Sequence, residues 1–265
     1  MTMEPVPSRP AERRALDAAT LVAIPAVLLL LTFALYWPTL SQPYFWDDVP
    51  HYEFATSRSF AQIWTDVRGL SYYRPFTFSL YKVFFELLPV GASTLPHIFV
   101  LVVHAANGWL VAGLARRLPG AKAGTGQGGR VLRPKEARVA GFLAGLLFVV
   151  YPYAALPVAH FAAVMHPLAT LLILGSMHAA LSFTDTGRRR WMALALVLSL
   201  LAAFTHESGV MAGTIVAAAL LLSGRLGLKR HLGWLLLLAA SSAMFLPVWA
   251  LVPKAPNTFE WLGWG

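Results

Sequence analysis

The sequence predicts an all-α integral membrane protein with about seven transmembrane helices and a long first external loop that contains an amphipathic interfacial helix. Three observations lead to this fold class. Hydrophobic residues make up 57% of the 265 residues and charged residues only 12%, about half the charged share of an average soluble domain. The apolar residues form long runs, and basic residues collect in alternate joins between these runs. The chain contains no cysteine, which excludes disulfides and thiolate metal sites.

The formal net charge of +9 has a membrane explanation. In a soluble chain, such an excess would favour a nucleic-acid partner. Here most of the excess flanks apolar runs, as expected when positively charged loops stay in the cytoplasm. We therefore expect the membrane, and no nucleic acid, as the partner of these charges.

The first span is predicted at residues 18–37, after a basic start. An apolar run of about 20 residues crosses the roughly 30 Å hydrocarbon layer. It is long for the core of a signal peptide, and no small-x-small cleavage site follows it. We expect an uncleaved span with residues 1–17 in the cytoplasm, and hence a multi-pass protein of a plasma or inner membrane.

The first external loop is predicted at residues 38–96. Its apolar stretch 76–88 is short and carries Lys82 and Glu86 four residues apart. Counted as a span, it would place the basic loop 116–138 outside, against the charge rule. We therefore predict an amphipathic helix that lies in the outer interface.

The remaining spans follow the same alternation. Basic joins are assigned to the cytoplasm and the others to the outside, which completes a transmembrane module at residues 18–252 and leaves an external tail at 253–265. The two spans on either side of residues 205–209 are short for a bilayer. His206 and Glu207, at their junction, should therefore lie below the outer surface and face protein or water. The predicted spans after the first are 97–114, 139–151, 168–183, 191–204, 210–222 and 232–251.

Ionisable residues at membrane depth are functional candidates, because burying them in lipid is costly. Four separate segments supply such residues, and the predicted topology brings all of them to the outer side. They are Asp47, Asp48, His51, Glu53, Arg74, Lys82, His160, His166, His206 and Glu207.

The adjacent carboxylates of Asp47 and Asp48 repel each other, which raises one pKa or attracts a cation. A carboxylate with a raised pKa can serve as a general base that deprotonates a hydroxyl. A carboxylate pair that attracts a cation can form a divalent-metal site. The alternative is a solvated turn in which an aspartate caps a short helix. Arg74, before Pro75, can hold a phosphate with its planar guanidinium. His160 and His166 lack the spacing of a metal pair, and each alone is typical of a hydrogen-bonded structural histidine.

The order of these motifs resembles the GT-C superfamily of polytopic glycosyltransferases, nearest the protein O-mannosyltransferase-like and lipid A aminoarabinose transferase-like branches. The similarity covers residues 18–222. The matching features are Phe45-Trp46-Asp47-Asp48 after the first span, Tyr73-Arg74-Pro75-Phe76 before an external helix, His97, His104 and Asn107 in the next span, Phe148 to Pro152, and His206-Glu207-Ser208-Gly209 at a short hairpin.

This resemblance implies a transferase that moves a sugar from a polyprenyl-phosphate-linked donor to a protein, lipid or glycan acceptor on the outer face of the membrane. It implies that an aspartate of the Asp47-Asp48 pair is the catalytic base and that Arg74 and His206 approach the lipid phosphate. We also expect Tyr73, His51, Glu207 and His166 to contact substrate. The resemblance makes no cofactor certain, and a divalent metal, if used, would bind at Asp47 and Asp48.

Three departures from the family pattern stand out, and two of them favour an alternative function: the missing later spans, and the external turn Tyr153 to Ala159 without the acid and arginine that the family often carries there. His206 stands where the family usually has a lysine, so a permanent charge becomes a titratable one. Relatives generally continue with further spans, so we expect the tail at 253–265 to mark a truncation or a need for a partner subunit. The alternative is a non-catalytic lipid-binding or assembly subunit of the same fold. A transporter would predict inverted repeats, which the sequence does not show.

Overall fold

The computed structural model describes residues 10–89, 91–117 and 133–253, and within them the chain is all-helical. This confirms the predicted all-α class. Most of the N-terminal segment 1–17, the centre of the basic loop 116–138 and nearly all of the tail 253–265 lie outside the described residues. The helices are α1 (Pro10–Tyr36), α2 (Asp48–Thr56), α3 (Phe60–Thr65), α4 (Pro75–Leu87), α5 (Thr94–Arg117), α6 (Pro134–Val149), α7 (Ala155–Ala159), α8 (Met165–Thr186), α9 (Arg189–Thr205), α10 (Ala212–Leu222), α11 (Leu228–Ala243) and α12 (Phe245–Leu251).

Four helical segments of the described chain are long and apolar enough to cross a membrane, which makes this a membrane protein. They are Val22–Ser41, Thr94–Arg117, Phe161–Thr186 and His231–Leu251. Pro134–Val149 and Pro152–Ala159 add a fifth span if this pair, bent by 49°, is counted as one. Proline at the break removes a backbone donor, which accounts for the bend. Seven crossings stay a prediction, because α9 and α10 are shorter than these spans. The cytoplasmic position of the N-terminus also stays a prediction.

Small residues allow the helices of the bundle to approach closely. A Cβ added at Gly145 of α6 would lie 2.7 Å from the Gly108 carbonyl oxygen of α5, and one added at Gly213 of α10 would lie 1.7 Å from the Leu238 oxygen of α11. Such contacts are typical of helix packing in membranes, where apolar burial against lipid gives little driving force.

A buried hydrogen bond adds to this packing between α8 and α9. The hydroxyls of Ser176 and Ser199 lie 2.8 Å apart, and Ser176 also donates to the Ala195 carbonyl oxygen at 2.9 Å. The polar groups inside this apolar interface are therefore satisfied, as their burial requires.

Residues 38–89 form a separate helical layer against one end of the bundle. Its centre is α4, whose Phe78, Tyr81 and Phe85 are 2%, 1% and 7% exposed and pack in one cluster with the fully buried Phe161 before α8. The predicted helix at 76–88 is thus present, and its position in a membrane interface stays a prediction. Lys82 is buried and bonded to Glu86 and the Ala55 carbonyl oxygen.

Candidate functional site

The two adjacent aspartates lie in different environments. The Asp48 side chain is fully buried; its Oδ2 accepts the backbone N–H of Phe45 at 3.0 Å and its Oδ1 that of Ala162 at 2.6 Å. His160 Nε2 lies 3.7 Å from Oδ2. Burial raises the pKa of Asp48, while the two backbone donors and His160 act to lower it. Asp48 therefore joins the loop before α2 to the turn before α8.

Asp47, by contrast, is exposed at the start of α2. It occupies the N-cap position, but its side chain accepts no cap hydrogen bond. The capping alternative considered from the sequence therefore does not describe Asp47. Asp47 lies one helical turn before His51, whose backbone N–H donates to the Asp47 carbonyl oxygen at 3.1 Å, and its charge opposes the burial that lowers the pKa of His51. Of the two carboxylates, that of Asp47 is the one accessible to an incoming molecule.

The buried His51 pairs with the half-buried Tyr72. A 2.8 Å hydrogen bond joins His51 Nε2 to the Tyr72 hydroxyl, and the imidazole stacks on Tyr81 with ring centroids 5.3 Å apart. Burial lowers the pKa of His51 to about 4, with Arg74 adding to that effect and Asp47 opposing it. His51 is therefore neutral at pH 7 and acts here as a polar partner of Tyr72.

Arg74 and Glu207 form a half-buried ion pair that joins segments 133 residues apart. Arg74 Nε donates to Oε1 at 3.1 Å and Oε2 at 2.9 Å, and Nη2 lies 2.8 Å from Oε2. The two side chains are 15% and 25% exposed. The guanidinium also lies 4.4 Å from the centroid of the Tyr72 ring. Its Nη1 group makes no hydrogen bond to a described residue and is the part of Arg74 left to bind a ligand.

His206 continues this network on the other side of Glu207. Its Nδ1 accepts the backbone N–H of Ser208 at 3.2 Å and lies 2.8 Å from the Ser208 hydroxyl. The proton of a neutral ring is therefore on Nε2, which is 3.5 Å from Glu207 Oε2. Burial lowers the pKa of His206 to about 4, followed by the effect of Arg74, and Glu207 opposes both. The His166 ring lies 4.4 Å away, centroid to centroid. At pH 7, His206 offers a neutral N–H donor.

Tyr73 does not join this network. Its side chain is 6% exposed, its hydroxyl donates to the Trp64 carbonyl oxygen at 2.6 Å, and its ring stacks near that of Phe245 at 6.3 Å. Tyr72 and Arg74 lie on one side of the segment and Tyr73 on the other. Tyr73 anchors the helical layer, and a substrate contact by this residue stays a prediction.

An unusual backbone conformation precedes Asp47. Trp46 has a φ of 47°, in the left-handed region, and its side chain is 76% exposed. This conformation costs a non-glycine residue on the order of 1 kcal/mol. The bonds that Asp48 accepts from Phe45 and Ala162 hold the loop on either side of the strained residue. The position of Asp47 is therefore held by its neighbours' hydrogen bonds.

A mostly apolar cavity of about 180 Å³ opens beside His166. Tyr151, Tyr153 and Asn107 are among the residues that line it. The Asn107 Nδ2 group donates to the Pro167 carbonyl oxygen at 2.8 Å, while its buried Oδ1 has no hydrogen-bond partner among the described residues. The cavity thus adjoins the polar network at His166.

Among the described residues, no group of three or more histidine and acidic side chains is arranged to hold a metal ion. Asp48 directs both oxygens to backbone N–H groups, which leaves the Asp47 carboxylate as the accessible member of the predicted pair. A divalent metal at these positions stays a prediction.

The structure brings most of the predicted site residues into one continuous network, called here the polar cluster. Tyr72 belongs to it and was missed from the sequence, although its place two residues before Arg74 is a signal for a shared face in an extended segment. Asp48 and Tyr73 lie outside it. The polar cluster consists of Asp47, His51, Tyr72, Arg74, His166, His206 and Glu207.

No protein-family model, curated protein or solved structure matches this chain. Its fold and composition define the class, an all-α membrane protein with a helical layer at one end of the bundle. The resemblance to the GT-C superfamily stays a prediction, and any more specific function is a proposal.

Proposed function

We propose that this protein is a membrane glycosyltransferase that moves a sugar from a polyprenyl-phosphate-linked donor to an acceptor hydroxyl. One observation carries the proposal. The exposed Asp47 carboxylate, which has no capping role, lies one helical turn before His51, whose hydrogen bond to Tyr72 leads to the Arg74 guanidinium and, through Glu207, to His206 and His166. A carboxylate base and cationic or neutral N–H donors are what displacement of a phosphate from an anomeric carbon needs.

In the proposed reaction, Asp47 removes the proton of the acceptor hydroxyl. The acceptor oxygen attacks the anomeric carbon, and the bond from that carbon to the phosphate oxygen breaks. The electron pair leaves with the polyprenyl phosphate, and the anomeric configuration inverts. The proton is then on Asp47. The Nη1 group of Arg74 and the Nε2–H of His206 are the donors proposed for the leaving phosphate.

Glu207 has a positioning role in this proposal. Its carboxylate binds Nε and Nη2 of Arg74, which fixes the guanidinium plane and directs the remaining Nη1 group. A bidentate pair of this kind adds geometric specificity as well as energy. Because Glu207 also neutralises much of the Arg74 charge, the phosphate is bound by directed hydrogen bonds more than by net charge.

The cavity beside His166 is the proposed entrance for the lipid-linked donor. It is apolar along most of its wall and adjoins the polar cluster. An isoprenoid chain next to the phosphate needs apolar surface, which this cavity wall supplies.

The test is mass spectrometry of surface glycoconjugates from cells that carry wild type, a deletion, Asp47→Asn or Asp48→Asn. Protein levels are measured in each membrane preparation. The proposal expects one sugar mass to disappear in the deletion and in Asp47→Asn at normal protein level, because losing a positioned base costs about 10²–10⁴ in rate. Normal product from a well-expressed Asp47→Asn variant would overturn the assignment of the base.

A second candidate is a non-catalytic lipid-binding or assembly subunit. It is favoured by the ion pair of Arg74, whose charge Glu207 already compensates, and by the structural use of Asp48. This candidate expects product to vanish in the deletion but to persist in Asp47→Asn. Purified protein would then retain polyprenyl phosphate without transferring sugar, even beside partner proteins.

A further inference from the structure

A second cavity lies at the opposite end of the helix bundle from the polar cluster. Its volume is about 450 Å³, and α5, α8 and α9 form its walls. These walls include the last turn of one candidate span, Thr94–Arg117, and part of the second half of another, Phe161–Thr186. His166, near the first residue of α8, marks the polar cluster, whereas the α8 residues that line the cavity, Gly175 to Ser182, lie 9 to 16 residues further along the helix, about 14–24 Å away.

Two indole rings line this cavity at different depths. Trp191, in the first turn of α9, lies where the apolar span gives way to charges, and the guanidinium of Arg190 lies 5.4 Å from its ring. Tryptophan at such a position is typical of the boundary between lipid tails and headgroups, so the cavity mouth is at headgroup level. Trp109 of α5 lies seven residues before Arg116, about 10 Å deeper.

The charge at the mouth is positive. Arg117 Nη2 bonds to Asp185 at 2.7 Å, and Arg225 bonds to the same carboxylate. Two guanidiniums thus share one acidic side chain. Arg116 also lines the cavity and makes no hydrogen bond or ion pair with a described residue. The three guanidiniums of Arg116, Arg117 and Arg225 outnumber the one carboxylate of Asp185, and this excess of positive charge favours binding of an anion.

The inner part of the cavity is apolar. Leu194 and Leu198 of α9 line it, and Gly175 of α8 supplies space, because a Cβ there would lie 3.3 Å from a Leu198 methyl carbon. From Trp109 to Arg117 the wall runs about 12 Å along α5. An acyl chain fits this shape better than a small polar molecule does.

We propose that this cavity binds an anionic diacyl phospholipid of the surrounding membrane. The phosphate lies at Arg116, the glycerol region lies beside Trp191, and one acyl chain extends along Leu194 and Leu198 toward Trp109. The headgroup charge supplies selectivity and the chain supplies apolar contact. This site is independent of the proposed transferase chemistry, because none of its lining residues belongs to the polar cluster.

Native mass spectrometry of the purified full chain tests the proposal. The protein is titrated with phosphatidylglycerol or with phosphatidylcholine of the same chains. One phosphatidylglycerol should be retained at collision energies that remove phosphatidylcholine. Arg116→Gln should weaken phosphatidylglycerol retention about tenfold, the loss expected for one charge-assisted hydrogen bond. The matched control is Arg189→Gln, an exposed arginine near this end that does not line the cavity.

A second pair of variants tests the apolar part without changing charge. Leu194→Trp fills the cavity and should abolish retention, whereas Leu236→Trp, at a residue 59% exposed on α11, should leave it unchanged. Equal retention of both lipids, or equal loss in the arginine variant and its control, would overturn the proposal. Displacement of the lipid by millimolar inorganic phosphate would also overturn it, since that result describes a bare anion site.

Discussion

Asp47→Asn and Asp48→Asn make the same chemical change at adjacent positions. From the structure we expect a loss of stability in Asp48→Asn and almost none in Asp47→Asn. Asp48 is fully buried and accepts two backbone N–H bonds, from Phe45 at 3.0 Å and Ala162 at 2.6 Å. An amide retains one carbonyl oxygen, so one of the two N–H groups loses its acceptor and meets an NH₂ group instead. Asp47 is exposed and makes no cap bond.

The magnitude follows from the lost bond at Asp48. A hydrogen bond to a charged group contributes about 1.5–3 kcal/mol, and a buried N–H without an acceptor adds a cost of about 1–3 kcal/mol. The burial that raises the pKa of Asp48 acts in the other direction, because a neutral amide avoids the cost of burying charge. We expect a net loss of about 2 kcal/mol for Asp48→Asn. Asp47→Asn should stay within about 0.5 kcal/mol of wild type.

Thermal unfolding of detergent-purified protein, followed by tryptophan fluorescence, measures this difference. For a chain of this size, about 2 kcal/mol corresponds to a Tm lowered by roughly 4–8 °C. Asp47→Asn serves as the matched control for the charge change. An Asp48→Asn variant with the Tm of wild type would refute the assignment of Asp48 as the tie between the loop and α8. Equal losses in both variants would refute the division of roles.

Three further predictions concern other parts of the molecule. The ion pair of Arg74 and Glu207 should show a coupling of about 2 kcal/mol in a double-mutant cycle of glutamine variants, between the values of exposed and fully buried pairs; additive Tm losses would contradict it. His51 has its pKa lowered from 6.5 to about 4, so the unfolded state binds the proton first and stability should fall by up to about 3 kcal/mol as the pH drops through this window; denaturation at several pH values should show a weaker dependence in His51→Asn. Gly213→Ala, with its Cβ 1.7 Å from a carbonyl oxygen, should cost about 1–3 kcal/mol, while Gly233→Ala in open space should be neutral or slightly stabilising, as measured by Tm.

Apolar runs and their polar joins were sufficient to predict the helical class and four of the membrane-spanning segments. Run length is a local property, and a helix satisfies its own backbone, so no tertiary information was needed. The length of the apolar runs does not, however, determine how many times the chain crosses the membrane. α9 has 17 residues and α10 has 11, and whether such helices cross depends on the surrounding bilayer and on tilt.

The site was predictable as a set of segments but not as a set of contacts. The different environments of Asp47 and Asp48 depend on an N–H at Ala162, 114 residues along the chain. The Arg74–Glu207 pair likewise depends on how α4 meets the turn after α9. Such pairings are decided by packing, and no spacing in the sequence encodes them.

Trp46 contributes in two ways, through its left-handed backbone conformation and through its indole ring. The backbone turn carries Asp47 into its position, and glycine adopts that turn at little cost. The indole ring is 76% exposed and contributes little to burial within the chain. Trp46→Gly would therefore relieve the backbone while removing the ring and its edge contacts with Phe45 and His160. A loss of binding or turnover at unchanged Tm would then be attributed to a molecule that the exposed face of the indole contacts.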